Sequence, residues 1–236
     1  MPKIGGLAVE FGRYWAANIL LERKAVSLKF SGDVPVRASP CLTNDLDDLG
    51  IILNGESSLV ICQRVLPREV QEWLDALHVE SLPVGRFEVS PENFQDAAGK
   101  LLDESGIPAT FGRKFLIDDM SRLVQLFATI CNVERVDTRI EKINTDSCWR
   151  FHRDNVKLRL VTTYRGPATE WVSAEQAEAA LLEQRDFSGP IQKLSSGDIA
   201  IFKGKQAVES DGVVHRSPPI AGSGISRLLL CLNTPQ

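Results

Sequence analysis

Histidine is scarce in this chain, with three among 236 residues, and the five cysteines (Cys41, Cys62, Cys131, Cys148, Cys231) are scattered without a CxxC pair. An odd, dispersed set of thiols excludes a disulfide framework and reads as reduced cysteine in a cytoplasmic protein. Runs of basic residues are missing as well, and the formal net charge is −4. Composition therefore gives no reason to expect a nucleic-acid partner. Apolar stretches such as AANILL at Ala16–Leu21 fall far short of a bilayer span, so no membrane is expected. The opening MPKIGGLAVEFGRYW lacks the charged and apolar regions of a secretory signal. Internal repeats and low-complexity tracts are absent too. What remains has 43% hydrophobic and 25% charged residues, ordinary for a globular protein. The length suits one large domain, or one domain with an N-terminal elaboration.

Residues 1–57 are punctuated by Gly and Pro and read as an N-terminal extension of uncertain structure, with one possible helix around Tyr14–Lys24. A single domain is expected over 58–236. Leu59–Val65 reads as a strand, and Pro67 occupies a plausible first helical position. Val70, Trp73, Leu74 and Leu77 then recur at helical spacing. SPENFQDAAGKLLDESG and GRKFLIDDMSRLVQLFATI are two further helices, and together these segments form a helical support over 67–131. Beyond Asn132 the texture changes to short β-rich runs bounded by Gly, Pro, Asn and Asp, with one helical interruption starting at Ser173. About six to eight strands are expected there. In the last run Arg227, Leu229 and Cys231 alternate with Leu228, Leu230 and Leu232, which fits a central strand covered on both faces. Helices followed by strands predict an α+β fold in which helices cover one face of a sheet or barrel.

The chemistry concentrates in FHRDNVKLRLVTTY, beginning at Phe151. If this run is one strand, His152 and Asp154 share a face, with Cα atoms roughly 7 Å apart. Val156, Leu158, Leu160 and Thr162 continue that face, while Arg153, Asn155, Lys157 and Arg159 fall on the other. The His152 face is then the inward one, and an inward imidazole and carboxylate need partners. His215, in the later β segment VVHRSPP, is the available third group; His78, at a helix end, can stack or face solvent. His-x-Asp plus a distant His on a β scaffold is the ligand set of the two-histidine, one-carboxylate site that holds non-haem Fe(II) and leaves coordination positions open. The alternative is a surface salt bridge between His152 and Asp154. Arg216 is expected on the face opposite His215, and Tyr164 and Trp171 as packing residues. Cys148 reads as a buried inert thiol and Gly166-Pro167 as a simple turn.

GDIAIFKG, from Gly197, resembles the turn and strand that precede the distal histidine of Fe(II)/2-oxoglutarate dioxygenases, and LVICQRVLPREVQEWL is similar to their strand–Leu-Pro–helix opening. The resemblance implies that Arg227, at the head of the last strand, binds the distal carboxylate of 2-oxoglutarate. CWRFHRDNVKLRLVTTYRGPATEW and VVHRSPP with RLLLCLN resemble the two signature blocks of a bacterial family of unknown function, DUF1826, over roughly residues 55–236. That likeness, and the family's association with zinc-responsive GTPases, implies zinc as the rival metal.

The reading is therefore a double-stranded β-helix (a jelly-roll, cupin-like barrel) over 134–236, with the N-terminal helices packed on one sheet. It would be an Fe(II)- and 2-oxoglutarate-dependent oxygenase acting on a small molecule or a protein side chain. His152, Asp154 and His215 would be its metal ligands and Arg227 its cosubstrate anchor. The rivals are a zinc-binding barrel, either hydrolase-like or an accessory to metal homeostasis, and a catalytically silent interaction module. Oligomeric state is not legible.

Overall fold

The computed structural model describes residues 40–54, 56–208 and 210–235; the helix expected around Tyr14–Lys24 lies outside them. Ten strands run through the described chain in the order β1 (Cys41–Thr43), β2 (Leu59–Cys62), β3 (Gly85–Val89), β4 (Val136–Ile143), β5 (Leu158–Arg165), β6 (Glu170–Trp171), β7 (Gln192–Lys193), β8 (Ile199–Lys203), β9 (His215–Arg216) and β10 (Arg227–Asn233). Four α-helices punctuate them: α1 (Arg68–Ala76), α2 (Phe94–Glu104), α3 (Phe111–Cys131) and α4 (Ala177–Glu183). The architecture is mixed α+β, built on a seven-stranded sheet ordered β1-β2-β8-β5-β10-β4-β3 and a three-stranded sheet ordered β7-β6-β9. Only β1–β2 is a parallel pair among these ladders.

The strict order of helices before strands does not hold. β1, β2 and β3 precede or interrupt the helices, and β1 and β3 form the two edges of the large sheet. β3 lies in a short segment that Pro83 and Pro91 bracket, so its alternation is too brief to stand out. Residues 41–54, which the sequence leaves in the extension, form β1 and a 3-10 helix (Leu46–Asn54) whose Leu46, Leu49 and Ile52 enter the main core.

The helices are set by local signals. Pro67 stands at the N-cap of α1, one position ahead of the expected first helical residue. α2 follows a 3-10 turn at Pro91–Asn93, and Gly106 takes a positive φ of 71° just past its end. Thr110 caps α3, its hydroxyl accepting from Arg113 N–H at 3.3 Å, and Asn132 closes it in the left-handed region at φ 51°. Among the described residues no helix is long and apolar enough to cross a membrane.

β10 divides the core. Leu228, Leu230 and Leu232 enter the cluster shared with the helices, and Leu229 and Cys231 enter a second cluster on the other face with Val161, Ala200, Phe202 and Trp171. The alternation read from the sequence is thus realised as two apolar layers, one under α1–α3 and one facing the small sheet. A third cluster, with Phe151, Val172, Ala180 and Val214, backs the small sheet with α4.

One charged knot ties the helical layer to the sheet. The Arg64 guanidinium grips Asp119 of α3 with two N–H···O bonds at 2.5 and 2.8 Å, and its Nε donates to Gly197 O at 2.7 Å. The Tyr164 hydroxyl donates to Asp119 Oδ2 at 2.7 Å. Burial first, and then Asp119, push the Tyr164 phenol well above its ordinary pKa, so it stays a donor. Asp119→Ala would strand both a guanidinium and a hydroxyl; the expected cost is about 3–5 kcal/mol. Tyr164→Phe leaves the Arg64–Asp119 fork intact and should cost about 1 kcal/mol. Urea unfolding midpoints of the two variants check that ranking.

Candidate metal centre

His152 does not begin a strand that runs on through Thr162. It lies in an isolated bridge opposite His215 of β9, residues 155–157 form a bend, and β5 starts only at Leu158. The bend breaks the alternation. In β5 the even residues Leu158 and Leu160 face the helices, while odd Val161 faces the second cluster. The inward face expected from the even residues is therefore corrected: Arg159, assigned to the outer face, turns toward Asp154, and its Nη1 lies 2.6 Å from Asp154 Oδ2.

The segment carrying Asp154 is nonetheless held firmly. Lys205 N–H donates to Asp154 O at 2.9 Å and Gln206 N–H to Val156 O at 3.1 Å. Gly204 lets the end of β8 come this close, since a Cβ there would sit 2.2 Å from Val156 O and 2.8 Å from Asp154 O.

His152 and His215 exchange both main-chain hydrogen bonds, at 3.0 and 3.1 Å, which puts their side chains on one face. Their ring centroids are 4.6 Å apart. Each ring is oriented by the carbonyl two residues upstream: His152 Nδ1 lies 2.8 Å from Arg150 O and His215 Nδ1 lies 3.0 Å from Val213 O. A carbonyl only accepts, so each Nδ1 donates to it and each Nε2 is directed into the site. Asp154 sits between them, Oδ2 3.3 Å from His215 Nε2 and Oδ1 3.6 Å from His152 Nε2. All three residues offer a ligand atom within 4.8 Å of the others, and among the described residues they form the group able to hold a metal ion.

Burial and neighbouring charges shift the ionisation of two members of this set. Burial, then the neighbouring His215, push the His152 pKa below its ordinary value, so its imidazole is neutral at pH 7. Burial alone would raise the Asp154 carboxyl; the adjoining His215 ring, then the Arg159 guanidinium, hold it below the usual carboxylate value. Asp154 and His215 are 7% and 6% exposed, whereas the His152 side chain is 35% exposed, so the site opens toward solvent beside His152.

Arg227 heads β10 with 0% exposure. Its Nε donates to Pro167 O at 2.6 Å and its Nη1 to Ser217 Oγ at 2.8 Å, while Nη2 is buried with no partner. Among the described residues no carboxylate is bonded to it, and burial lowers its pKa to about 10. Gly166-Pro167 is thus more than a turn: Pro167 supplies the carbonyl, and Gly166, at φ 78°, has room for no Cβ because Ser226 O would lie 2.6 Å away. Ser217 escaped the sequence reading, although its place two residues after His215 puts it on the same face of an extended chain.

The other singled-out residues fall into place around this site. Arg216 pairs with buried Glu170 at 2.7 Å. Tyr164 packs in the core, and Trp171, opposite His215 in the small sheet, buries an indole N–H without a partner. Cys148 is exposed rather than buried, with a positive φ of 54°. His78 caps a 3-10 turn, its Nδ1 accepting from Glu80 N–H at 3.3 Å.

The model of a family described as "Protein of unknown function (DUF1826)" matches residues 43–233. No curated protein matches the chain. Among solved structures, the chain is similar to an Arabidopsis thaliana dioxygenase for auxin oxidation in complex with 2-oxoglutarate, at 11% identity over 84% of this chain and 93% of that one, TM-score 0.46. A prolyl-4-hydroxylase from Pseudomonas putida is similar at 14% identity over 82% and 96%, TM-score 0.42. A putative oxygenase from Shewanella oneidensis is similar at 14% identity over 83% and 88%, TM-score 0.40.

A buried guanidinium with an idle N–H group costs stability in the ligand-free protein. Replacing Arg227 with Met, which fills similar space without charge, should leave the thermal midpoint of the ligand-free protein equal to or above that of the unsubstituted chain. Ser217→Ala keeps the cation and removes an acceptor, so it should lower stability by about 1–3 kcal/mol. Thermal melts of both variants test the contrast.

Proposed function

The chain belongs to the DUF1826 family, proteins of unknown function, and from that footing we propose that it is an Fe(II)- and 2-oxoglutarate-dependent oxygenase. The observation that carries the reading is the pairing of two features: a converging His–Asp–His set, and a fully buried guanidinium that lacks an anion among the described residues. They are linked through Ser217, two residues from His215 and bonded to Arg227.

His152 and His215 would hold the metal through Nε2, and Asp154 through its carboxylate. Fe(II) with 2-oxoglutarate supplies the activation of dioxygen that hydroxylates a C–H bond. The residues of the chain do the rest. Arg227 binds the distal carboxylate through its idle Nη2, and Ser217, an acceptor toward Arg227, keeps its own proton free to donate to the same group. The apolar cluster with Val161, Phe202 and Leu229 keeps water from the interior face, and the Phe202 ring packs tilted against the His215 ring, centroids 4.6 Å apart. Access is from the His152 side, where a small molecule or a protein side chain would enter as substrate.

Metal content tests the ligand set. His152→Ala, Asp154→Ala and His215→Ala should each abolish one-to-one binding of Fe(II) or Co(II) while the helical circular-dichroism signal persists. His78→Ala should change nothing. Full occupancy in folded His215→Ala protein removes the triad.

Cosubstrate binding tests the activity. Anaerobic Fe(II) protein should develop a weak visible band on adding 2-oxoglutarate. Arg227→Ala should weaken that titration by about a hundredfold or more, the equivalent of about 3–5 kcal/mol. Arg227→Lys keeps the charge without the fork and should fall in between. If zinc is held tightly and iron never gives the band, the zinc-binding barrel becomes the better reading.

A further inference from the structure

Arg159 is absent from the ligand set, yet it is the charged group nearest to Asp154. Its Nη1 lies 2.6 Å from Asp154 Oδ2, close enough for an ion pair but not aligned as a hydrogen bond. From there a line of polar groups crosses the inner face of the large sheet. Arg159 Nε donates to Asn233 Oδ1 at 2.8 Å, Asn233 Nδ2 donates to Asp137 Oδ2 at 3.4 Å, and Arg86 grips both oxygens of Asp137 at 3.0 Å. These residues come from β5, β10, β4 and β3, and strand pairing places Arg159 beside Asn233 and Asn233 beside Asp137. The Arg159 side chain is 16% exposed, so it is tethered at the back and buried along its length.

The geometry points to Arg159 as a positioning residue that holds Asp154 as a one-oxygen ligand. This rests on the metal reading above. A free carboxylate beside a divalent ion can close on it with both oxygens, which would occupy a position that a chelating cosubstrate needs. Arg159 engages the buried Oδ2 and leaves Oδ1, on the His152 side, for the ion. Its own charge lowers the attraction of the site for a cation, so metal affinity is traded for an open position. A neighbour that merely supported the fold would weaken metal and cosubstrate binding together, or neither.

The test uses Co(II), whose visible bands report coordination number and which needs no turnover. In Arg159→Met protein, removing a positive charge should tighten Co(II) binding severalfold, alter its visible spectrum, and weaken 2-oxoglutarate binding to the Co(II) form at least tenfold. Arg159→Lys should restore part of the 2-oxoglutarate affinity. Asn233→Leu, which keeps the guanidinium but cuts its tether, should show the same loss of 2-oxoglutarate affinity in smaller measure, and it carries the test if Arg159→Met does not fold. Loss of Co(II) from folded Arg159→Met protein, or unchanged spectrum and 2-oxoglutarate affinity, would overturn the inference. If the unsubstituted Co(II) protein ignores 2-oxoglutarate, the oxygenase reading fails instead, and the metal affinity and spectrum of Arg159→Met alone decide the role of Arg159.

Discussion

Two main-chain hydrogen bonds between His152 and His215 are the constraint on which the site depends. They join segments far apart in sequence, one before β5 and one in β9, without using either side chain. Because an antiparallel pair of this kind points both side chains the same way, two imidazoles are delivered to one face by backbone geometry alone. The upstream carbonyls of Arg150 and Val213 then set the rings, so each Nε2 is presented by main-chain atoms. Only Asp154 relies on side chains for its pose, and Arg159 lies against it.

The sheet supports this arrangement by keeping its two faces chemically distinct. One face is closed by α1–α3 and their leucines, with the Arg64–Asp119–Tyr164 knot as its polar fastening. The other carries a smaller apolar cluster and two arginines, Arg159 and Arg227. They differ in a telling way. Among the described residues, Arg159 meets a carboxylate and an amide, whereas Arg227 meets a carbonyl and a hydroxyl. Internal pairing fits the shaping role proposed for Arg159, and the incomplete shell fits the ligand role proposed for Arg227.

Helices were the most legible part of the sequence, because Val70, Leu74, Leu116, Leu123 and Phe127 repeat at a spacing that only a helix face explains. β10 was legible for the same reason at period two. The residues of the candidate centre stood out through the scarcity of histidine and their β context, but their register did not. A run such as RDNVKLRL alternates on paper through a bend that no local signal announces, so the facing of Arg159 was inverted. β3 and β1 were lost because three to five residues between prolines and loops carry too little pattern. The partners of Arg227 were hidden because a proline carbonyl and a serine hydroxyl acquire meaning only after the turn at Gly166 brings them together.

β3 forms an edge of the large sheet, and its five residues expose Arg86 and Glu88. An edge presents unpaired main-chain donors and acceptors, and a second chain could extend the sheet there. Opposite charges standing two residues apart on a short strand make such stacking unfavourable, because an incoming strand would have to desolvate them. Arg86 also pairs with Asp137 at 3.0 Å while its side chain stays largely exposed. The residue that ends the polar line from the candidate metal centre therefore also stands among the charges of this exposed edge.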